Sequence, residues 1–231
     1  MMLQLYYFPT LNGQKAAIAL EEMALPYDLM FVDLMTGAQD ESGFRTINPN
    51  GRIPALVDSD VAGQPVIVFE SAAILQYLGR KTGRFYPSDE RARAQIDSWL
   101  FWQMAGLGPM SGQVNWFSRA ARKPGRDPAE TSLPLHRFRK ETTRLFSVLD
   151  AQLQDREYLC GDYSIADMCI WTWIEKYPDN GGGLANFPAI AAWHARIGTR
   201  PAVCRALLVG LDRIDMSPEA RARWTPSPAN R

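Results

Sequence analysis

Every strand-like run in this chain falls within its first 87 residues. Residues 3–8 (LQLYYF), 28–34 (DLMFVDL), 53–57 (IPALV) and 66–69 (VIVF) are short and apolar, with aromatic or β-branched members. That is the pattern of buried strands. Beyond Phe85-Tyr86-Pro87 only helical spacing remains. This switch limits the architecture more than any other feature: a small α/β domain, then an all-helical one.

Residues 15–24 (KAAIALEEMA) combine helix formers with an apolar face. With the runs on either side they make a βαβ unit, which requires parallel strands and a right-handed crossover. The Asp, Ser and Gly residues of 58–65 suit a hairpin between the next two strands. Residues 71–82 read as a helix with Ser71 as its N-cap. Further helices are expected over 91–104, 137–153, 165–177, 188–197 and 201–208. Loops are expected over 123–128 and 180–183, and the tail after Asp215 is polar and basic.

A chain of 231 residues can bury a core without disulfides. Lys+Arg and Asp+Glu both number 25. That balance argues against a nucleic-acid partner and gives no reason to propose a membrane surface. The three cysteines, Cys160, Cys169 and Cys204, form no Cys-x-x-Cys pair, and there are two histidines. Neither a metal site nor a disulfide framework is expected. No apolar run has the length of a membrane span and no signal peptide is read at the start, so the expected location is the cytoplasm.

Four segments stand where chemistry is possible. Pro9-Thr10-Leu11-Asn12-Gly13, followed by Lys15, leaves a strand and opens a helix. Unpaired N–H groups and the positive helix end suit an anion there, a thiolate included. The ordinary alternative is a plain turn with Asn12 as the cap. Next, Pro54 begins a strand, and a cis bond before it would hold the Ile53 backbone ready to pair with an extended ligand. The alternative is a turn and an edge strand. Third, Glu70-Ser71 opens a helix, where Glu70 can accept from an ammonium while Ser71 and the backbone donate to a carboxylate. Taken alone, a plain helix cap explains it better. Finally, Ser164-Ile165-Ala166-Asp167 reads as a capping box, which is folding information and not catalysis.

Together these segments resemble the glutathione transferase family over nearly the whole chain. YYFPTLNGQK, DLMTGAQ, INPNGRIPALVD, FESAAILQYL, WLFWQMAGLGPMSGQ and YSIADMCIWTW look most like its nu-class bacterial members. These members are close to the disulfide-bond oxidoreductases and to the yeast nitrogen regulator. The resemblance implies an α/β thioredoxin-like N-terminal domain (1–86), an all-α C-terminal domain (90–215) and a tail (216–231). It further implies a homodimer that uses glutathione as co-substrate and no metal.

By matching motifs, Glu70 and Ser71 hold the γ-glutamyl end and the Ile53 backbone before Pro54 pairs with the cysteinyl unit. Lys15, Gln39 and Arg52 contact carboxylates or peptide groups. Thr10 and Asn12 face the sulfur. Arg137 closes the site from the helical domain or a partner subunit, as does the segment 113–117.

No cysteine precedes Cys160, so no protein thiol stands at the active-site turn. The implied activity is a glutathione-dependent thiol–disulfide oxidoreductase that uses only ligand sulfur. The rivals are a transferase that conjugates electrophiles or reduces hydroperoxides, and a non-catalytic glutathione-binding regulator. A mechanism using Tyr6 or Tyr7 is the other way to activate sulfur, although alternation along a strand sends at least one of them into the core. Residues 114–116 (Val-Asn-Trp) depart from the nu-class pattern, which often has a His after the Gly-Gln.

Overall fold

Strand β1 (Leu3–Tyr7) shows the alternation that a half-buried strand needs, with Leu3, Leu5 and Tyr7 buried and Gln4 and Tyr6 less so. The computed structural model describes residues 3–125, 127–175 and 183–214. The expected helix end at Tyr177, most of the 180–183 loop and the tail lie outside them. Among the described residues the chain forms two compact units. One runs to Ser88 and resumes at Arg196; the other is Asp89–Ala195.

In the first unit, α1 (Leu11–Glu22) begins four residues earlier than expected, and its N-cap is Thr10. Asn12 is therefore not the cap. Thr10 is extended, and its Oγ1 accepts from Gly13 N at 3.2 Å. Gly13 is there because a Cβ would collide with the Phe8 carbonyl oxygen and press on the Tyr7 ring. Strand β2 (Asp28–Phe31) pairs parallel with β1, as the βαβ reading requires. Strands β3 (Ala55–Asp58) and β4 (Val66–Phe69) complete the sheet in antiparallel fashion, in the order β2-β1-β3-β4.

A short helix, α2 (Ser42–Ile47), was not legible from spacing: in six residues only Phe44 is buried, where it joins Phe8, Val32, Ile53 and Ala55. Helix α3 (Ser71–Thr82) has the expected bounds, but its N-cap is Glu70 and Ser71 is its first residue. Its inner face puts Ile74, Leu75 and Leu78 in the core with Leu5, Ile18 and Leu56. The C-terminal helix α9 (Pro201–Leu208) belongs to this first unit. Arg200, just before it, forks onto both carboxylate oxygens of Glu22, and Arg205 reaches Glu21 at 2.8 Å.

In the second unit, α4 (Glu90–Trp102) is capped by Asp89, whose carboxylate accepts from Ala92 N at 2.8 Å. It passes through a π-helical turn, Gln103–Leu107, into α5 (Gly108–Ala121). Helix α6 (Ala129–Leu153) starts eight residues earlier than expected, because Pro134 sits inside it instead of ending it. So close to the helix start, a proline removes one ladder bond without stopping the helix. Helices α7 (Ile165–Glu175) and α8 (Pro188–Gly198) follow. Leu145, Phe146 and Leu149 of α6 are buried, as are Met168 and Trp171 of α7 and Ile190 and Trp193 of α8.

The capping box forms at the start of α7. One Asp167 oxygen accepts from Leu159 N (3.0 Å) and Trp193 Nε1 (2.9 Å). The other accepts from Ser164 N (3.0 Å) and Ser164 Oγ (3.1 Å), while Ala166 N donates to Ser164 Oγ.

Candidate functional site

The turn 48–54 and the start of α3 enclose a cavity of about 140 Å³ in the first unit. It is lined by Asn12, Asn48, Asn50, Arg52, Ile53, Pro54, Glu70 and Ser71. Six of the ten expected site residues are in it. Its wall depends on Asn48, a buried side chain whose amide donates to Arg52 O and whose Oδ1 accepts from Asn50 N at 3.0 Å. Gly51 N closes the turn on Asn48 O at 2.9 Å. Gly51 needs its positive φ of 61° and has no Cβ to meet the Arg45 guanidinium beside it. The Ile53–Pro54 bond is cis, as read from the sequence.

Glu70 is exposed, with φ 72° and ψ 121°, a conformation that non-glycine residues rarely adopt. No side chain caps the N-terminus of α3. The cavity therefore combines one carboxylate with a helix start able to donate to an anion. Opposite charges a few ångströms apart on one ligand would suit it.

Lys15 and Thr10 are outside this lining. Lys15 is fully buried, with its ammonium 3.4 Å from Ser71 Oγ, so it acts on the site through Ser71. Thr10 is the cap of α1, and its oxygen is used as an acceptor. A cap of this kind still carries a hydroxyl proton that can be donated. Gln39 lies on the 3₁₀ turn Ala38–Asp40 and donates to the Asp40 carboxylate at 3.1 Å. Arg137 belongs to the second unit. On α6 it lines a separate cavity of about 560 Å³ with Leu133, His136 and Lys140.

The two tyrosines separate as alternation predicts. Tyr7 is fully buried with no hydrogen-bond partner for its hydroxyl, and burial, aided by Tyr27, pushes its pKa far up. It is a core residue and no proton donor at neutral pH. Tyr6 is half-buried and packs against Phe44 at 5.9 Å.

Asn48 and Asn50 are the site residues that the sequence reading missed. The Asn-Pro-Asn-Gly run signals a turn, but nothing in spacing shows that a turn 20 residues before Glu70 stands beside it.

The family model for the glutathione S-transferase N-terminal domain matches residues 11–81, and that for the C-terminal domain matches residues 134–201. The disulfide-bond oxidoreductase YfcG of Escherichia coli is 44% identical over 210 residues, covering 90% of this chain and 95% of its own. The chain belongs to the glutathione S-transferase family. Its thioredoxin-like first domain and helical second domain are the fold of that family.

Solved members of the family extend the likeness. A glutathione transferase from Burkholderia graminis, with two glutathione molecules bound per subunit, is 39% identical with a TM-score of 0.84. The match covers 90% of this chain and 88% of that one. A glutathione transferase from Pseudomonas putida, with one glutathione disulfide bound per subunit, is 37% identical with a TM-score of 0.83. There the coverage is 90% and 91%.

Proposed function

We propose that this protein is a glutathione-dependent thiol–disulfide oxidoreductase. The observation that carries this is a cavity fitted for a peptide with charged ends and lined by no cysteine. The three cysteines of the chain all lie beyond residue 159, and each is a free thiol. The reacting sulfur must then come from the ligand. Supporting this, the cited Escherichia coli relative is named a disulfide-bond oxidoreductase, and the two cited structures hold glutathione or its disulfide.

In this reading the γ-glutamyl ammonium pairs with Glu70, and its carboxylate takes Ser71 Oγ and the N–H groups of α3. The backbone of Ile53, before Pro54, pairs with the cysteinyl unit. Arg52 and Gln39 hold peptide or carboxylate groups, Lys15 steadies Ser71, and Arg137 contributes from the helical domain or a partner subunit. Thr10 and Asn12 donate to the sulfur. A free thiol has a pKa of about 8.5, so hydrogen bonds to the charged form are what make the thiolate abundant at neutral pH. One glutathione thiolate attacks a disulfide, forming a mixed disulfide and expelling one thiolate. A second glutathione thiolate attacks the mixed disulfide, giving glutathione disulfide and the other thiolate.

The domain boundaries that go with this are a glutathione-binding domain at 1–86, a helical domain at 90–215 and a tail at 216–231. The working form is a homodimer in the cytoplasm. No described helix is long and apolar enough to cross a membrane. Light scattering reads the dimer directly, and a monomer mass in dilute buffer would contradict it.

The test of the activity is glutathione-dependent reduction of hydroxyethyl disulfide at neutral pH, coupled to a glutathione reductase and NADPH. Turnover is expected, falling at least tenfold in Asn12→Ala. No turnover, with glutathione still raising the thermal midpoint, would replace this reading with a conjugating transferase or a silent binder.

A further inference from the structure

The stretch between β2 and β3 carries much of the proposed site. The 3₁₀ turn Ala38–Asp40 holds Gln39, and the turn after α2 supplies Asn48, Asn50, Arg52 and Ile53 to the cavity wall. Between the two turns α2 has six residues, of which Phe44 is buried, and no side chain caps its N-terminus. A helix so short gains little from its own hydrogen bonds. Asn48 and Gly51 close the second turn on itself. Those bonds do not set its distance from Gln39.

Arg45 spans that gap. From α2 it donates through Nη2 to Asp40 Oδ1 at 2.7 Å and through Nη1 to Pro49 O at 3.2 Å. Its guanidinium also lies against Gly51, where an added Cβ would stand 3.0 Å from Cζ. The other Asp40 oxygen accepts from Gln39 Nε2 at 3.1 Å. A chain of polar contacts therefore runs from Gln39 through Asp40 and Arg45 to Pro49. At its start, Gln39 Oε1 is buried with no partner among the described residues, an acceptor open to a ligand N–H. Folding stability does not account for this arrangement. Asp40 and Arg45 are both exposed, and an ion pair in water contributes little. A lysine would serve Asp40 as a charge, but only a planar fork reaches a carboxylate and a carbonyl while lying on a glycine.

We infer that Arg45 is a positioning residue for glutathione: its bridge from Asp40 to Pro49 sets the Gln39 turn and the 48–54 turn at the separation the peptide needs. Arg45 is outside the cavity lining and acts through these neighbours. Both turns are then ordered before the ligand arrives, so binding does not have to order them. The inference rests on the glutathione reading of the first unit and adds to it a residue that does not touch the ligand.

The test is calorimetric titration of glutathione into the full-length protein and its variants, with disulfide-reductase kinetics alongside. Arg45→Gln is expected to weaken glutathione binding at least fivefold and to raise the KM for glutathione to match, with kcat at saturation within twofold of the parent. Arg45→Lys keeps a charge for Asp40 but loses the reach to Pro49, so its affinity should fall between the two. The double variant D40N/R45Q is expected to lose no more than the poorer single variant, because both break one bridge. Thermal midpoints without glutathione should stay within about 4 °C of the parent. Unchanged affinity in Arg45→Gln, or a loss in kcat with KM unchanged, would overturn the inference. So would additive losses in the double variant. A midpoint lowered by more than about 4 °C would do the same, making Arg45 a residue of stability. A parent protein that does not bind glutathione would strike the reductase reading and this one with it, whereas parent binding with no loss in the variants strikes Arg45 alone.

Discussion

Helices α3 and α7 begin alike in sequence and end up opposite in chemistry. Each opens on a serine near a carboxylate: Glu70-Ser71 in the first unit, Ser164 and Asp167 in the second. At α7 the carboxylate is fully buried, and each of its oxygens accepts two hydrogen bonds. At α3 the carboxylate is exposed, no side chain caps the helix, and the backbone of Glu70 is held at positive φ. The first arrangement consumes its polar groups in folding. The second places Glu70 and Ser71 on a cavity wall at a cost in backbone strain, and in the proposed function they serve a ligand there.

The contrast breaks most clearly at Asp167. Asp167→Ala leaves Leu159 N, Ser164 N and Trp193 Nε1 without their acceptor. The expected loss is about 3–5 kcal/mol in urea unfolding, since each buried orphaned donor costs about 1–3. Glutathione affinity of the surviving folded protein should be unchanged. Near-parent stability would mean that α7 is held by packing alone.

Glu70 should behave in reverse. Glu70→Ala is expected to weaken glutathione binding tenfold or more, about 1.4 kcal/mol by calorimetry, with little change in unliganded stability. Glu70→Gly should bind as poorly yet melt higher, because glycine adopts the positive φ without strain. A large stability loss in both would make Glu70 a structural cap like Asp167.

The far end of α3 offers a milder test, because it is bonded in the manner of α7. Asp58 is buried and takes hydrogen bonds from Tyr77 (2.7 Å) and Asp60 N (2.8 Å), with Lys81 at 2.8 Å. Burial raises its pKa, but these donors together hold it below the usual carboxylate range. A carboxyl lowered on folding adds stability above its unfolded pKa, near 3.9, and loses it as pH falls through the lower folded value. Lys81→Met should cost roughly 1–2 kcal/mol at pH 7 and flatten the pH profile of the melting temperature below pH 4. An unchanged acid limb would remove Lys81 from that account.

The smallest expected effect is at Thr10, which stands between the two extremes with a single capping bond. Thr10→Ala should cost about 1 kcal/mol of stability. Thr10→Ser keeps the oxygen and should restore both stability and disulfide-reductase rate at neutral pH. Rescue of stability without rescue of rate would leave Thr10 as a cap and pass the sulfur contact to Asn12.

Much of this was legible in the chain. Residues 66–69, 71–82 and 201–208 match their observed elements residue for residue, since Pro65, Gly83 and Pro201 bound them closely. The errors lie where local signals conflict with tertiary support. The helix expected from residue 137 begins at Ala129 and carries Pro134 inside it, where its inner face of Leu145, Phe146 and Leu149 sustains it. Helix α2 has too few residues to show a period, and it is placed by one buried phenylalanine.

By itself the sequence determined the two architectures and their order, the parallel βαβ start, the absence of a cysteine before Cys160 and most of the segments that line the cavity. Those are consequences of period, of turn residues and of which atoms the chain contains. Only the tertiary structure decided which polar groups line a cavity. Ser71 and Ser164 look equivalent along the chain. What separates them is that Asp167 meets Leu159 and Trp193, eight and 26 residues away, while Glu70 faces a cavity walled by Asn48 and Asn50. Hydrogen bonds are satisfied in space and not in order, so the partners of a helix-opening serine are set by what folding brings beside it.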